Sequence, residues 1–132
     1  MEPNKRYGKR NHKWTGVGDL PGTLIAQNKA NARLRKRDYT IPNEYLWELW
    51  LKQDGKCALT GVELVIPPSN THSVSEEMRQ RFASLDRIDS KRCYEIGNVQ
   101  WVCKTANLMK RDLSDADFVK FCKLVVSHSE GI

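Results

Sequence analysis

Asp86, Asn98 and Asn107 are the residues of this chain whose types and spacing could do chemistry together. They stand in three short strings: Leu85-Asp86-Arg87-Ile88-Asp89, Gly97-Asn98-Val99-Gln100-Trp101-Val102 and Asn107-Leu108-Met109-Lys110. The first two read as strands joined by a polar loop, and the third as part of a helix. Asp86 would close the first strand and Asn107 would stand on the helix. One oxygen-liganded cation could be held between them. Mg²⁺ or Mn²⁺ suits such a pair, because water and a bound phosphate can fill the rest of the shell. Phosphodiester hydrolysis needs that charge stabilisation, an activated water and in-line geometry.

The elements that must position these residues follow from pattern and punctuation. Strand 83–88, loop 89–97, strand 98–102 and a helix over 103–111 form the centre. Ser114 with Asp117 three residues on resembles a capping box and starts a last helix, 115–126. There Phe118, Phe121, Cys122 and Val125 share one face, which predicts packing on the centre. Upstream, residues 21–37 read as a basic helix, with Pro21 in its first turn and Asp19 as its cap. Residues 42–53 read as a core helix behind Thr40, apolar on most faces. Asp54-Gly55 is a turn. A short strand is expected over 62–66, and a short helix around 75–81. The organisation predicted is a flexible basic arm over 1–19, a helical DNA-binding and packing segment over 20–56, a core over 57–126 and a tail over 127–132.

The three strings resemble the ββα-metal finger of the HNH (His-Me finger) nucleases, across roughly residues 57 to 124. The resemblance implies a small α+β fold, a finger with flanking helices. It implies Asp86 as first metal ligand, Asn98 as the residue bracing the loop, and Asn107 as the helical ligand. Arg87 falls where the family usually has its general-base His. A guanidinium cannot accept a proton near neutral pH, so Arg87 would act electrostatically, as a bidentate donor to the scissile phosphate. Of His12, His72 and His128, His72 lies just before the finger and is the best-placed base. Tyr94 and a water activated by the metal alone stay open as alternatives. Asp89 would cap the loop. Cys103, four residues before Asn107, would share its helical face as a minor ligand candidate.

The activity implied is metal-dependent endonuclease action on double-stranded DNA, nicking or cutting both strands, of phage or mobile-element type. The alternative is a catalytically inactive finger kept for DNA binding; a ribonuclease role has no distinct motif. Composition agrees with a polyanionic partner. Residues 1–37 hold ten Lys and Arg against two acids, a local +8, whereas the rest is near neutral. The DNA contacts expected are Arg33, Arg35, Lys36 and Arg37 on the basic helix, and Lys91, Arg92, Lys104, Lys110 and Arg111 around the finger. Trp14 could stack on a base. Trp101 is expected under the finger helix. A second copy of the chain is a candidate partner, since cutting both strands often takes two. Cys57, Cys93, Cys103 and Cys122 form no Cys-x-x-Cys pair, so no structural zinc is expected, and Cys57 reads as an isolated buried thiol. No apolar run or secretory signal is visible, so a cytoplasmic location is expected, the host's if the protein is phage-encoded.

Overall fold

The computed structural model describes residues 14–68 and 74–131. Among these are five helices and one two-stranded antiparallel sheet, a small α+β arrangement. No described helix is long and apolar enough to cross a membrane. The basic residues of positions 1–13, and His12 and His72, lie outside the described residues.

The first described turn docks rather than floats. Val17 and Leu20 exchange backbone hydrogen bonds, and Asp19 and Leu20 are fully buried. Gly18 has φ +54°, and a Cβ there would fall 2.1 Å from the Trp47 ring. Only glycine fits both constraints. Residues 14–19 therefore part from the flexible arm expected of them, and Trp14 is half-buried rather than exposed.

Helix α1 (Gly22–Leu34) starts behind an extended Pro21 with no side-chain cap, so Asp19 does not cap it. It ends three residues earlier than the pattern predicts. Lys36 takes φ +55°, and Arg37 and Lys36 donate their N–H groups to Ala32 and Arg33. That is a Schellman stop, and it swings Arg35 and Arg37 off the helix axis. Leu24, Ile25 and Ala32 enter the core.

Helix α2 (Asn43–Lys52) follows Pro42, with no cap from Thr40. Leu46 and Trp50 are buried, while Tyr45, Trp47 and Leu49 only lean on the core. Its apolar residues exceed what one neighbouring layer can cover, so burial on most faces does not occur. Residues 62–66 form isolated bridges, Lys56 with Glu63 and Val65 with Phe82, instead of a strand. Leu64 and Ile66 still point inward. Helix α3 (Glu76–Gln80) is capped by Ser75, whose hydroxyl accepts from the Met78 N–H.

Strands β1 (Ala83–Arg87) and β2 (Val99–Cys103) pair with Asp86 opposite Gln100 and Leu85 opposite Trp101. Side chains alternate between faces. Leu85 and Trp101 therefore share one face, Ser84, Asp86 and Gln100 the other. Trp101 meets Trp50 edge-on at 5.8 Å, and its ring N–H donates to the Leu46 carbonyl. Trp101 thus packs on α2 and not under α4 (Lys104–Lys110), which covers the opposite face. Full burial of such apolar side chains contributes roughly 1.5–3 kcal/mol each.

Helix α5 (Asp115–Ser129) opens on Ser114, whose hydroxyl accepts from the Asp117 N–H. Of the face expected to pack on the centre, only Phe118 is buried; Phe121 and Val125 are more than half exposed. Between α4 and α5, Arg111 has φ +53° and ψ −120°, a region that suits glycine. Arg111→Gly should therefore raise the unfolding free energy by about 1 kcal/mol in urea denaturation. A loss of stability would show that the Arg111 side chain outweighs the backbone strain.

Candidate functional site

Helix α4 presents Asn107 and Lys110, three residues apart and so on one face, to the hairpin face that carries Ser84 and Asp86. The Asn107 amide donates to the Ser84 hydroxyl at 2.8 Å. Lys110 reaches deeper. Its ammonium donates to Asp86 Oδ2 at 2.6 Å, to the Arg87 carbonyl at 2.6 Å and to Asp115 Oδ1 at 2.7 Å. Those three oxygens engage all three donors of an ammonium. Lys110 is 0 % exposed, Asp86 6 % and Asp115 28 %. Gln100 Nε2 bridges the two carboxylates, at 3.1 Å from Asp86 and 2.9 Å from Asp115. Burial pushes the Asp86 carboxyl above the usual carboxylate range; the hydrogen bonds of Lys110 and Gln100 pull it back.

Two sequence expectations change here. Lys110 is no surface phosphate contact, because it is the most enclosed charge of the site. Asp86 faces an ammonium, with Asn107 bonded one step up the strand. Asp115 is the residue of this cleft that sequence reasoning misses, and Lys110 is one that it assigns to DNA contact instead. Lys110 is legible in part: it lies three residues from Asn107 and so on the same helical face.

Arg87 ends β1 with its side chain on the other face. Its Nη1 donates to the Ser90 and Arg92 carbonyls, the latter at 3.1 Å, and its guanidinium lies 5.1 Å from the Tyr94 ring centre. That geometry clamps the loop, a task the phosphate-donor expectation does not include. Tyr94 is largely buried beneath it, with its ring against the guanidinium rather than among the residues of the cleft. Asn98 braces the same loop from within. Its Oδ1 accepts from the Asp89 N–H at 2.9 Å, and its Nδ2 donates to the Asp89 and Cys93 carbonyls. Asp89 Oδ1 accepts from the Lys91 N–H, as a loop cap would.

Cys103 parts from Asn107. It is the last residue of β2 and turns to the far face, where its N–H donates to Cys57 Sγ at 3.2 Å and its thiol lies 3.9 Å from the Thr60 hydroxyl. Cys57 is therefore buried but not isolated. Burial pushes the Cys103 thiol up; at Cys57 the hydrogen bonds of Thr60 and Cys103 outweigh burial and bring it down. Among the described residues no group of three or more His, Cys, Asp or Glu side chains is placed to hold a metal ion. His128 stands in the last turn of α5, and His72 lies outside the described residues.

The remaining basic residues sort by exposure. Lys91, Arg92, Lys104 and Arg111 are exposed, as are Arg33, Arg35, Lys36 and Arg37. Arg92 is engaged by Glu95 at 3.0 Å. Arg35, Arg37, Arg87, Ser90, Lys91 and Asp112 line one polar cavity of about 450 Å³.

No protein-family model matches the chain, and no curated protein or solved structure matches it. The site must be read from its own geometry. Removing one partner of a buried ion pair costs about 3–5 kcal/mol, whereas replacing both with apolar residues is often near neutral. Lys110→Met should therefore lower stability by about 3 kcal/mol or more in urea denaturation. Combined with Asp86→Leu, most of that loss should return. A single variant as stable as the wild type would show that the triad does not hold the site together.

Proposed function

We propose that this chain is an HNH-type endonuclease acting on double-stranded DNA, with its catalytic centre in the cleft where β1, α4 and the start of α5 meet. One observation carries the reading. Oxygens of Asp86, Asp115 and the Arg87 carbonyl converge within 2.7 Å of a single small cation, the Lys110 ammonium. The strand–loop–strand–helix order, the Asn98 brace and the Asn107 position support it.

The residues fit a hard divalent ion by donor type and by charge. Carboxylate, carbonyl and amide oxygens are what Mg²⁺ and Mn²⁺ take. With the Lys110 ammonium withdrawn, the two carboxylates carry a formal charge of −2, which a divalent ion would neutralise. Asp86, with Asn107 and Asp115 beside it, would hold the ion once the Lys110 side chain swings aside. A bound divalent ion supplies charge stabilisation to the scissile phosphate and its leaving oxygen. The chain's own residues orient the site: Asn98 and Arg87 hold the loop at the strand end, and Ser84 holds the Asn107 amide.

A second reading is favoured by the same ammonium. Lys110 already satisfies Asp86, and Arg87 stands where the family's base would be. A finger in that state binds DNA and cuts nothing.

Supercoiled plasmid with Mg²⁺, with Mn²⁺ and with chelator separates the two. The hydrolase reading expects nicking that depends on the divalent ion. Asp86→Ala should abolish nicking while leaving DNA binding largely intact. Asn107→Ala should lose less, because a neutral amide contributes less charge to a cation site. Intact plasmid under every divalent condition, with DNA still bound, would establish the silent finger. Wild-type nicking by Asp86→Ala would overturn the assignment of the ion to this cleft.

A further inference from the structure

We propose that the cavity lined by Arg35, Arg37, Arg87, Ser90, Lys91 and Asp112 is a seat for a phosphate group. We assign that phosphate to the backbone of the nucleic acid; this part rests on the DNA reading above.

The seat joins two parts of the chain that the sequence keeps far apart. Arg35 and Arg37 come from the stop of α1, where Lys36 at φ +55° turns the chain so that both flanking residues reach the cavity. Arg87, Ser90 and Lys91 come from the end of β1 and its loop. Four cations therefore converge on about 450 Å³ against one carboxylate, Asp112. Like charges gathered in a concave space repel, and their field is focused there. An anion relieves that repulsion. One carboxylate balances less of the lining's excess charge than a phosphate dianion or two successive phosphodiesters would.

The donors are also ordered for the task. Arg87 is buried, stacked on Tyr94 and fixed through Nη1 to two carbonyls, so its guanidinium loses little freedom when an anion arrives. Lys91 is held at its backbone by Asp89. The Ser90 hydroxyl donates to the Asp112 carbonyl, which ties the cavity to the α4–α5 turn. Arg87 also carries the carbonyl that accepts from Lys110. One residue thus places a backbone oxygen on the cation seat and a guanidinium in the anion seat. A backbone phosphate held there would set the register of the strand on the cleft, as phosphate contacts do.

Thermal unfolding in phosphate and in chloride at equal ionic strength reads the seat directly. Phosphate should raise the melting temperature of the wild type. Arg35→Ala with Arg37→Ala, both at exposed positions, should abolish that shift. The charge-matched pair Lys52→Ala and Lys56→Ala, exposed and outside the cavity, should keep it. Absence of the shift in the wild type, or equal reduction in both pairs, would overturn the seat.

A second arm identifies the source of the phosphate. In fluorescence anisotropy with duplex DNA, the Arg35/Arg37 pair should lower the log–log salt slope by about 0.9, the value for one phosphate that is no longer neutralised. A phosphate shift with an unchanged duplex slope would overturn the backbone assignment and leave a seat for a free or terminal phosphate. A 5′-phosphorylated short single strand that binds more tightly than its unphosphorylated form would then mark the terminal group. None of these measurements includes a divalent ion. A wild type that never nicks plasmid would sink the hydrolase reading alone, and a missing phosphate shift would sink the seat alone.

Discussion

A buried ammonium has to be met by oxygens from several elements at once, and the arrangement of this site depends on that demand. Taking a lysine out of water costs several kcal/mol even after relaxation. Lys110 recovers it only if β1 supplies Asp86 and the Arg87 carbonyl while the start of α5 supplies Asp115. The position of α4 over the hairpin is therefore not set by apolar packing alone. Neither is the sharp turn at Arg111, which delivers Asp115 to the same point. By contrast, the exposed pairs Arg81–Glu77 and Arg92–Glu95 are each worth about 0–1 kcal/mol and fix little.

The loop 89–97 is held from two sides by residues of opposite character. Asn98 ties its backbone with three hydrogen bonds of a neutral amide. Arg87 ties it with a charged fork that also stacks on Tyr94. The loop is thereby rigid where the strand ends, and a rigid loop is what a cleft beside it requires. If the cleft is that of a nuclease, an arginine at this position exchanges a proton acceptor for a clamp whose N–H groups can donate to an anion.

How much is legible in the sequence follows the range of the forces involved. Local signals hold. Ser114 caps the helix it precedes, Asp54-Gly55 turns the chain, and the two central strands fall within a residue of where alternation puts them, although neither Asp19 nor Thr40 caps the helix it is expected to start. Contacts between distant segments are not legible in this way. Nothing local says that Trp101 packs on α2 rather than under α4, because a period-2 pattern assigns faces but not neighbours. Cys103 illustrates the sharpest limit: one residue decides whether it begins the helix, beside Asn107, or ends the strand, against Cys57. The apolar face of α5 reads as core by periodicity. Yet the hairpin offers α5 only the edge that Phe118 covers. Lys110 reads as a surface residue for a statistical reason, since lysine is almost never fully buried unless paired.

The decisive question for the cleft is what replacing Lys110 would require. Its stem is four flexible carbons, and long cationic chains readily carry their charge outward along apolar surface. Met109 and Leu108 on the exposed side of α4 offer such surface. The oxygens left behind would face a net charge of −2 in a largely dry pocket, a state that cannot persist without another cation. The two readings therefore differ in one equilibrium, an exchange of one ammonium for one divalent ion over a fixed set of oxygens. The two carboxylates differ in how freely they could follow such an exchange. Asp115 is part-exposed and can turn with the incoming ion, while Asp86 stays fixed by Gln100. On either reading the two carboxylates need a cation between them, the Lys110 ammonium in one case and a divalent ion in the other, and any chemistry at the cleft would follow from which cation holds it.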